Sequence, residues 1–117
     1  MDTNISDLSK RIRIFIEERD WDQFHDPKDL AISLCLEAAE VLEHFQWKNK
    51  DEVNAKEIGE ELADVLYWVI LLSNKFDINL TEAFEDKMIK NEKKYPVEKA
   101  KGSKAKYTQL KQDSRKE

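Results

Sequence analysis

Apolar residues recur at helical spacing along most of the chain, and that pattern divides it into four helices. Ile5, Leu8, Ile12, Phe15 and Ile16 predict a first helix over residues 4–19, whose main task is to cover a core. The run Asp20-Trp21-Asp22-Gln23-Phe24-His25 breaks the period, setting two aromatics and a histidine in a connection, where such side chains meet ligands or other subunits. Asp26 suits an N-cap, Pro27 the first helical turn and Asp29 the position that reaches back, so a second helix is predicted over residues 27–47. Polar residues 48–53 connect it to a third helix, capped by Asn54 with Glu57 three positions on and running to Asn74. Thr81 is predicted to cap a fourth helix, which Tyr95-Pro96 stops after Lys94. Beyond Val97 the expectation is irregular chain, frayed after Ser103. No alternating strand pattern is present, and the fold class is all-α, resembling a four-helix bundle.

Two places break the binary pattern. Glu37-x-x-Glu40 and Glu61-x-x-Asp64 put carboxylates inside stripes that are otherwise apolar. At about 100° per residue, Leu30, Leu34, Val41 and Phe45 lie within about 80° of Glu37, and Ile58, Val65, Trp68 and Leu72 within about 60° of Glu61. Helices packed through these stripes bring four carboxylates together. Like charges in a partly dry groove repel unless cations neutralise them, so the arrangement points to a hard divalent metal. A surface location is the ordinary reading for any single acid, and it is taken for Glu43, Glu52, Glu57, Glu60, Glu82 and Glu85; His44 is likewise read as a surface residue.

Composition narrows the class. A chain of 117 residues, with 40% apolar and 38% charged residues, suffices for one core and is too short for two ordinary ones. Two glycines and two prolines leave little turn chemistry, in keeping with few connections. The net charge of −5 argues against a broad footprint on a nucleic acid polymer. Lysines concentrate between Lys87 and Lys106, where a phosphate contact competes with simple solvation. Residues 1–96 are expected to form the helical domain, and 97–117 a Lys-rich, largely irregular tail. The lone Cys35 excludes an internal disulfide and is expected as a small buried hydrophobe. No signal peptide is visible at Met1, and the longest apolar run, residues 65–72, is too short for a bilayer, so the expectation is a cytoplasmic protein with no membrane partner. Because that run is apolar on every face, a homo-oligomer is expected, with Ile70, about 180° from Glu61, directed at a partner subunit.

Several stretches of the chain then carry a resemblance. Glu18-Arg-Asp-Trp-Asp-Gln-Phe-His-Asp-Pro-Lys-Asp-Leu30 precedes Glu37-Ala-Ala-Glu-Val-Leu-Glu-His-Phe-Gln-Trp-Lys48 and Glu60-Glu-Leu-Ala-Asp-Val-Leu66, and Lys87-Met-Ile-Lys-Asn-Glu-Lys-Lys-Tyr-Pro96 follows. In this order they resemble the all-α nucleoside triphosphate pyrophosphohydrolases of the MazG type, in particular the single-domain branch that includes the dCTP pyrophosphatases. The resemblance implies hydrolysis of a (deoxy)nucleoside triphosphate, dCTP or a modified pyrimidine among the candidates, to the monophosphate and pyrophosphate. It implies that Glu37, Glu40, Glu61 and Asp64 bind Mg2+, for which Mn2+ can substitute, and carry the catalysis. Trp21, His25, Trp47 and Trp68 match base and sugar contacts, while Lys87, Asn91 and Lys94 match phosphate and sugar contacts. Relatives assemble as tetramers, dimers of dimers. The chain departs from the pattern at Leu36, where many relatives have a glutamate, at Ala38-Ala39, where a glycine is common, and at Ile12, where mammalian relatives have a histidine. Cytosine preference is therefore not implied. Two other readings remain open: a non-catalytic helical oligomerisation or regulatory module, and a hydrolase of another nucleotide pyrophosphate on the same scaffold.

Overall fold

Three asparagines decide where helices begin. In the computed structural model, which describes residues 3–102, Asn4 Oδ1 accepts from the Asp7 backbone N–H at 2.9 Å and opens α1, Ile5–Glu18. Asn54 Oδ1 accepts from the N–H groups of Lys56 and Glu57 at 2.9 and 3.2 Å and opens α3, Ala55–Lys75. Asn79 Oδ1 accepts from Glu82 N–H at 3.1 Å and opens α4, Leu80–Lys94. The fourth cap is thus Asn79 rather than Thr81. Asn79 has extended backbone and a side chain that reaches an orphan donor, whereas Thr81 already lies in the first turn. Helix α2, Pro27–Glu43, starts differently: Asp26 is extended but its side chain caps nothing, and proline's fixed φ begins the helix.

The second helix is shorter than its pattern suggests. After Glu43 the N–H groups of His44, Phe45 and Gln46 bond to carbonyls three residues back, and Trp47 turns left-handed at φ 63°. The path to α3 contains a 3₁₀ turn, Lys50–Glu52. Helices α1 and α3 end alike. Asp20 and Asp77 each take φ 51°, and the next N–H returns to the carbonyl five residues before it, Trp21 to Ile16 at 3.1 Å and Ile78 to Ser73 at 3.0 Å. Aspartate tolerates the left-handed turn that this closure needs. The connection expected after α1 carries a 3₁₀ turn, Asp22–Phe24, tethered to α3 by an ion pair of 2.7 Å between Asp22 and Lys75. Residues Val97–Ala100, expected to be irregular, form a short helix α5, with Lys99 and Ala100 N–H bonding to Pro96 C=O. The expected fraying after Ser103 lies outside the described residues.

The chain separates into two compact units with the boundary between Ile78 and Asn79. In the first, α3 packs against both α2 and α1. Ile16, Leu30 and Leu71, one from each helix, form the buried centre, with Ile12, Tyr67, Trp68 and Leu72 against it. Full burial of such a side chain is worth about 1.5–3 kcal/mol. The second unit carries α4 and α5.

Two expectations about burial are corrected. Ile70 is 1% exposed within the single chain, so it is a core residue and is not available to a partner subunit. Cys35 is exposed, because it stands about 160° from Glu37 around α2 and so faces away from the packed stripe. No helix among the described residues is long and apolar enough to cross a membrane.

Candidate active site

Where α2 packs on α3, the two interrupted stripes meet. Glu37 from α2 and Glu61 and Asp64 from α3 each offer an oxygen such that all three lie within 4.8 Å of one another. Glu37 and Glu61 are half-buried, and each leaves Oε2 buried with no hydrogen-bond partner. Two unsatisfied buried carboxylate oxygens beside a third acid fit a hard divalent cation, which binds oxygen and offsets their repulsion. Burial, first, then hydrogen bonding to Glu40 and the charges of Glu40 and Asp64, raise the Glu37 pKa above the ordinary carboxylate value, while hydrogen bonding from Trp68 opposes this.

Glu40 stands apart from the other three. It is exposed and interacts with Glu37 without joining the close cluster. His44 was read as a surface residue, and this is corrected: its ring is half-buried, with Nε2 3.4 Å from Glu61 Oε1 and Nδ1 3.8 Å from Glu57 Oε2. Seven residues after Glu37, His44 stands about 20° from it around the helix, which continues the face that packs on α3.

A cavity of about 500 Å³ adjoins the acids, lined by Leu8, Arg11, Ile12, Phe15, Trp21, His25, Asp64, Tyr67 and Trp68. Asp64 belongs to both cavity and cluster, so the two adjoin at that residue. The aromatic walls brace each other edge to face: Phe15 with Trp21 at 5.7 Å between centroids, Phe15 with Tyr67 at 6.2 Å, and Tyr67 with Trp68 at 5.1 Å. The Arg19 guanidinium lies 3.8 Å above the Phe15 ring. His25 keeps Nδ1 buried and unpartnered, a polar atom at a largely apolar wall. Burial raises the pKa of Tyr67 above its ordinary value.

The structure therefore brings together Trp21, His25 and Trp68 around the cavity, and Glu37, Glu61 and Asp64 beside it. Trp47 is not among the lining residues; it is 99% exposed at its left-handed turn. Lys87, Asn91 and Lys94 lie within about 60° of one another around α4, in the second unit. Missed by sequence reasoning were Arg11, Phe15, Tyr67 and His44. The first helix was assigned to covering the core, yet Leu8, Ile12 and Phe15 of that same stripe, with Arg11 beside them, also line the cavity.

Among the described residues the regular structure is all helical, and three carboxylates with the donor chemistry for a divalent cation adjoin an aromatic-lined cavity. Comparison with known proteins sharpens that reading. The family model described as MazG-like matches residues 32–110, and the chain belongs to this family of all-α nucleoside triphosphate pyrophosphatases. It is 36% identical over 114 residues to mouse dCTP pyrophosphatase 1, spanning 91% of this chain and 67% of that protein. The human dCTP pyrophosphatase 1 is 35% identical over 114 residues, with the same coverage of both chains. Among solved structures, a pyrophosphatase from Archaeoglobus fulgidus superimposes with a TM-score of 0.72 at 40% identity, covering 82% of this chain and 95% of that one.

Proposed function

We propose that the protein is a divalent-metal-dependent nucleoside triphosphate pyrophosphohydrolase that converts a (deoxy)nucleoside triphosphate to its monophosphate and pyrophosphate, with dCTP or a modified pyrimidine nucleotide as the leading substrates. The observation that carries this reading is the sharing of Asp64 between the three-carboxylate cluster and the aromatic-lined cavity. One end of that site suits phosphates neutralised by a cation, and the other suits a stacked base. The dCTP pyrophosphatases among its relatives support the choice of nucleotide.

Glu37, Glu61 and Asp64 hold Mg2+, with Mn2+ as a substitute. When bound, the cation supplies positive charge against the phosphate oxygens. Glu40, beside Glu37 but outside the close cluster, is the carboxylate free to take a proton from the attacking water. The oxygen of that water bonds to the α phosphorus as the bridging oxygen departs with pyrophosphate. Trp21, Tyr67 and Trp68 enclose the base, and Arg11 and His25 offer it polar contacts. Trp47 presents a fully open indole as an outer stacking face, and Lys87, Asn91 and Lys94 are assigned to phosphate and sugar. The working form is a homotetramer, a dimer of dimers.

Incubation of the protein with Mg2+ and a panel of canonical and modified nucleoside triphosphates tests this. Pyrophosphate and a monophosphate are expected as first products, with label from ¹⁸O-water in the monophosphate. Orthophosphate as first product, or no turnover across the panel, overturns the reading.

A further inference from the structure

His44 follows the last residue of α2 with helical backbone and, seven residues after Glu37, stands about 20° from it around the helix, on the face that packs against α3. Its ring lies astride Glu57 and Glu61, which are one helical turn apart on the same face. This contact makes the two oxygens of Glu61 unequal. Oε1 faces the imidazole Nε2 at 3.4 Å, whereas Oε2 is buried and has no protein partner. Glu61 is at the same time one of the three acids that converge within 4.8 Å. A glutamate has three freely rotating bonds, and on its own its carboxylate would sample many orientations about the cluster. A partner gripping one oxygen from outside selects those orientations that leave the other for the metal.

We propose that His44 is a positioning residue for the metal centre: it holds Glu61 through Oε1 so that Oε2 remains directed to the cation, with Glu57 steadying the far side of the imidazole. The proposal rests on the metal-site reading above. It concerns a residue that touches neither substrate nor the reacting atoms and acts only through Glu61. The rival account is that His44 merely closes α2 and fills space between the helices. The accounts differ in metal affinity, since a helix-closing role would alter folding stability and leave Mn2+ binding untouched in protein that still folds.

The test is Mn2+ binding to metal-free protein, followed by the electron paramagnetic resonance signal of free Mn2+, for His44→Leu, His44→Asn and His44→Gln. His44→Asn keeps a polar residue at the helix end but is too short to reach Glu61, whereas the longer glutamine can still donate to it. We expect Leu and Asn variants to bind Mn2+ about ten-fold or more weakly while retaining helical circular dichroism, and the Gln variant to recover part of the loss. Hydrolysis should fall mainly at limiting metal and recover toward the wild-type rate at saturation. Unchanged or tighter Mn2+ binding in a folded Leu or Asn variant overturns the proposal, and so does failure of both to fold, which assigns the residue to structure. A wild-type protein that hydrolyses nucleotides while these variants bind Mn2+ normally sinks only this inference. One that binds Mn2+ but releases no pyrophosphate sinks the enzymatic reading and leaves the binding comparison to decide here.

Discussion

At the scale of single residues, the three close carboxylates have distinct burdens. Replacing Glu61 or Asp64 by alanine should lower kcat by about 10²–10³-fold, the range for loss of one preorganised electrostatic element. Steady-state pyrophosphate release checks this, with circular dichroism as the folding control. Glu37 adds a pH signature. Its pKa is raised in the folded protein, chiefly by burial, so folding favours its protonated form. The associated stability is fully present below the unfolded value near 4.5 and is lost as pH rises through the raised folded value. In metal-free protein the melting temperature should therefore carry a declining component above pH 4.5 that Glu37→Gln removes. At neutral pH without metal the variant should melt at or above the wild-type temperature. A Glu37→Gln protein less stable than wild type under those conditions would assign Glu37 a supporting role in the fold. The acids themselves were legible in the sequence, because a charge inside an apolar helical stripe contradicts the pattern around it. The close grouping of three, with Glu40 set aside, was not legible, since angular spacing around a helix says nothing of how far each carboxylate stands from the next helix.

At the scale of elements, local chemistry explains most helix ends. Asn54→Ala should destabilise α3 by about 1 kcal/mol, because two N–H groups lose their acceptor at once. Urea unfolding with an unchanged m-value would register that loss. Asn54 was readable as a cap from its position before a periodic run. Asn79 was not, because Thr81 is also a good capping residue and only backbone direction distinguishes them. The overlong reading of α2 has a similar origin. Phe45 and Trp47 extend its apolar pattern, but i−3 hydrogen bonding tightens the chain after Glu43, and the left-handed Trp47 ends it. His44, seven residues after Glu37, still lies on the face that meets α3. The period of α1 was clear, yet its double use for core and cavity was hidden, because one apolar stripe serves both.

At the scale of the whole molecule, the surface of the single chain retains much apolar area. Leu62 and Leu66, 52% and 38% exposed, form a strip on α3 about 100–140° from Glu61, and Ile32, Leu36 and Leu42 are open on α2. In the proposed tetramer this area is covered by other subunits. Leu66→Glu should then dissociate the assembly, seen as a fall in mass by light scattering at micromolar concentration. A wild-type monomer would refute the tetramer. Ile70 is the wrong probe: a charge there would unfold the chain's own core. The apolar run of α3 by itself determined that the helix needs partners on several sides, and the ordered motifs determined the family. Helical periodicity, capping chemistry and misplaced carboxylates are local properties, written in spacings of three and four residues. Which buried face meets its own chain, which oxygen of Glu61 stays free, and which side chains of α1 wall the cavity were decided only by packing. Those depend on distances between helices that no spacing along one helix contains.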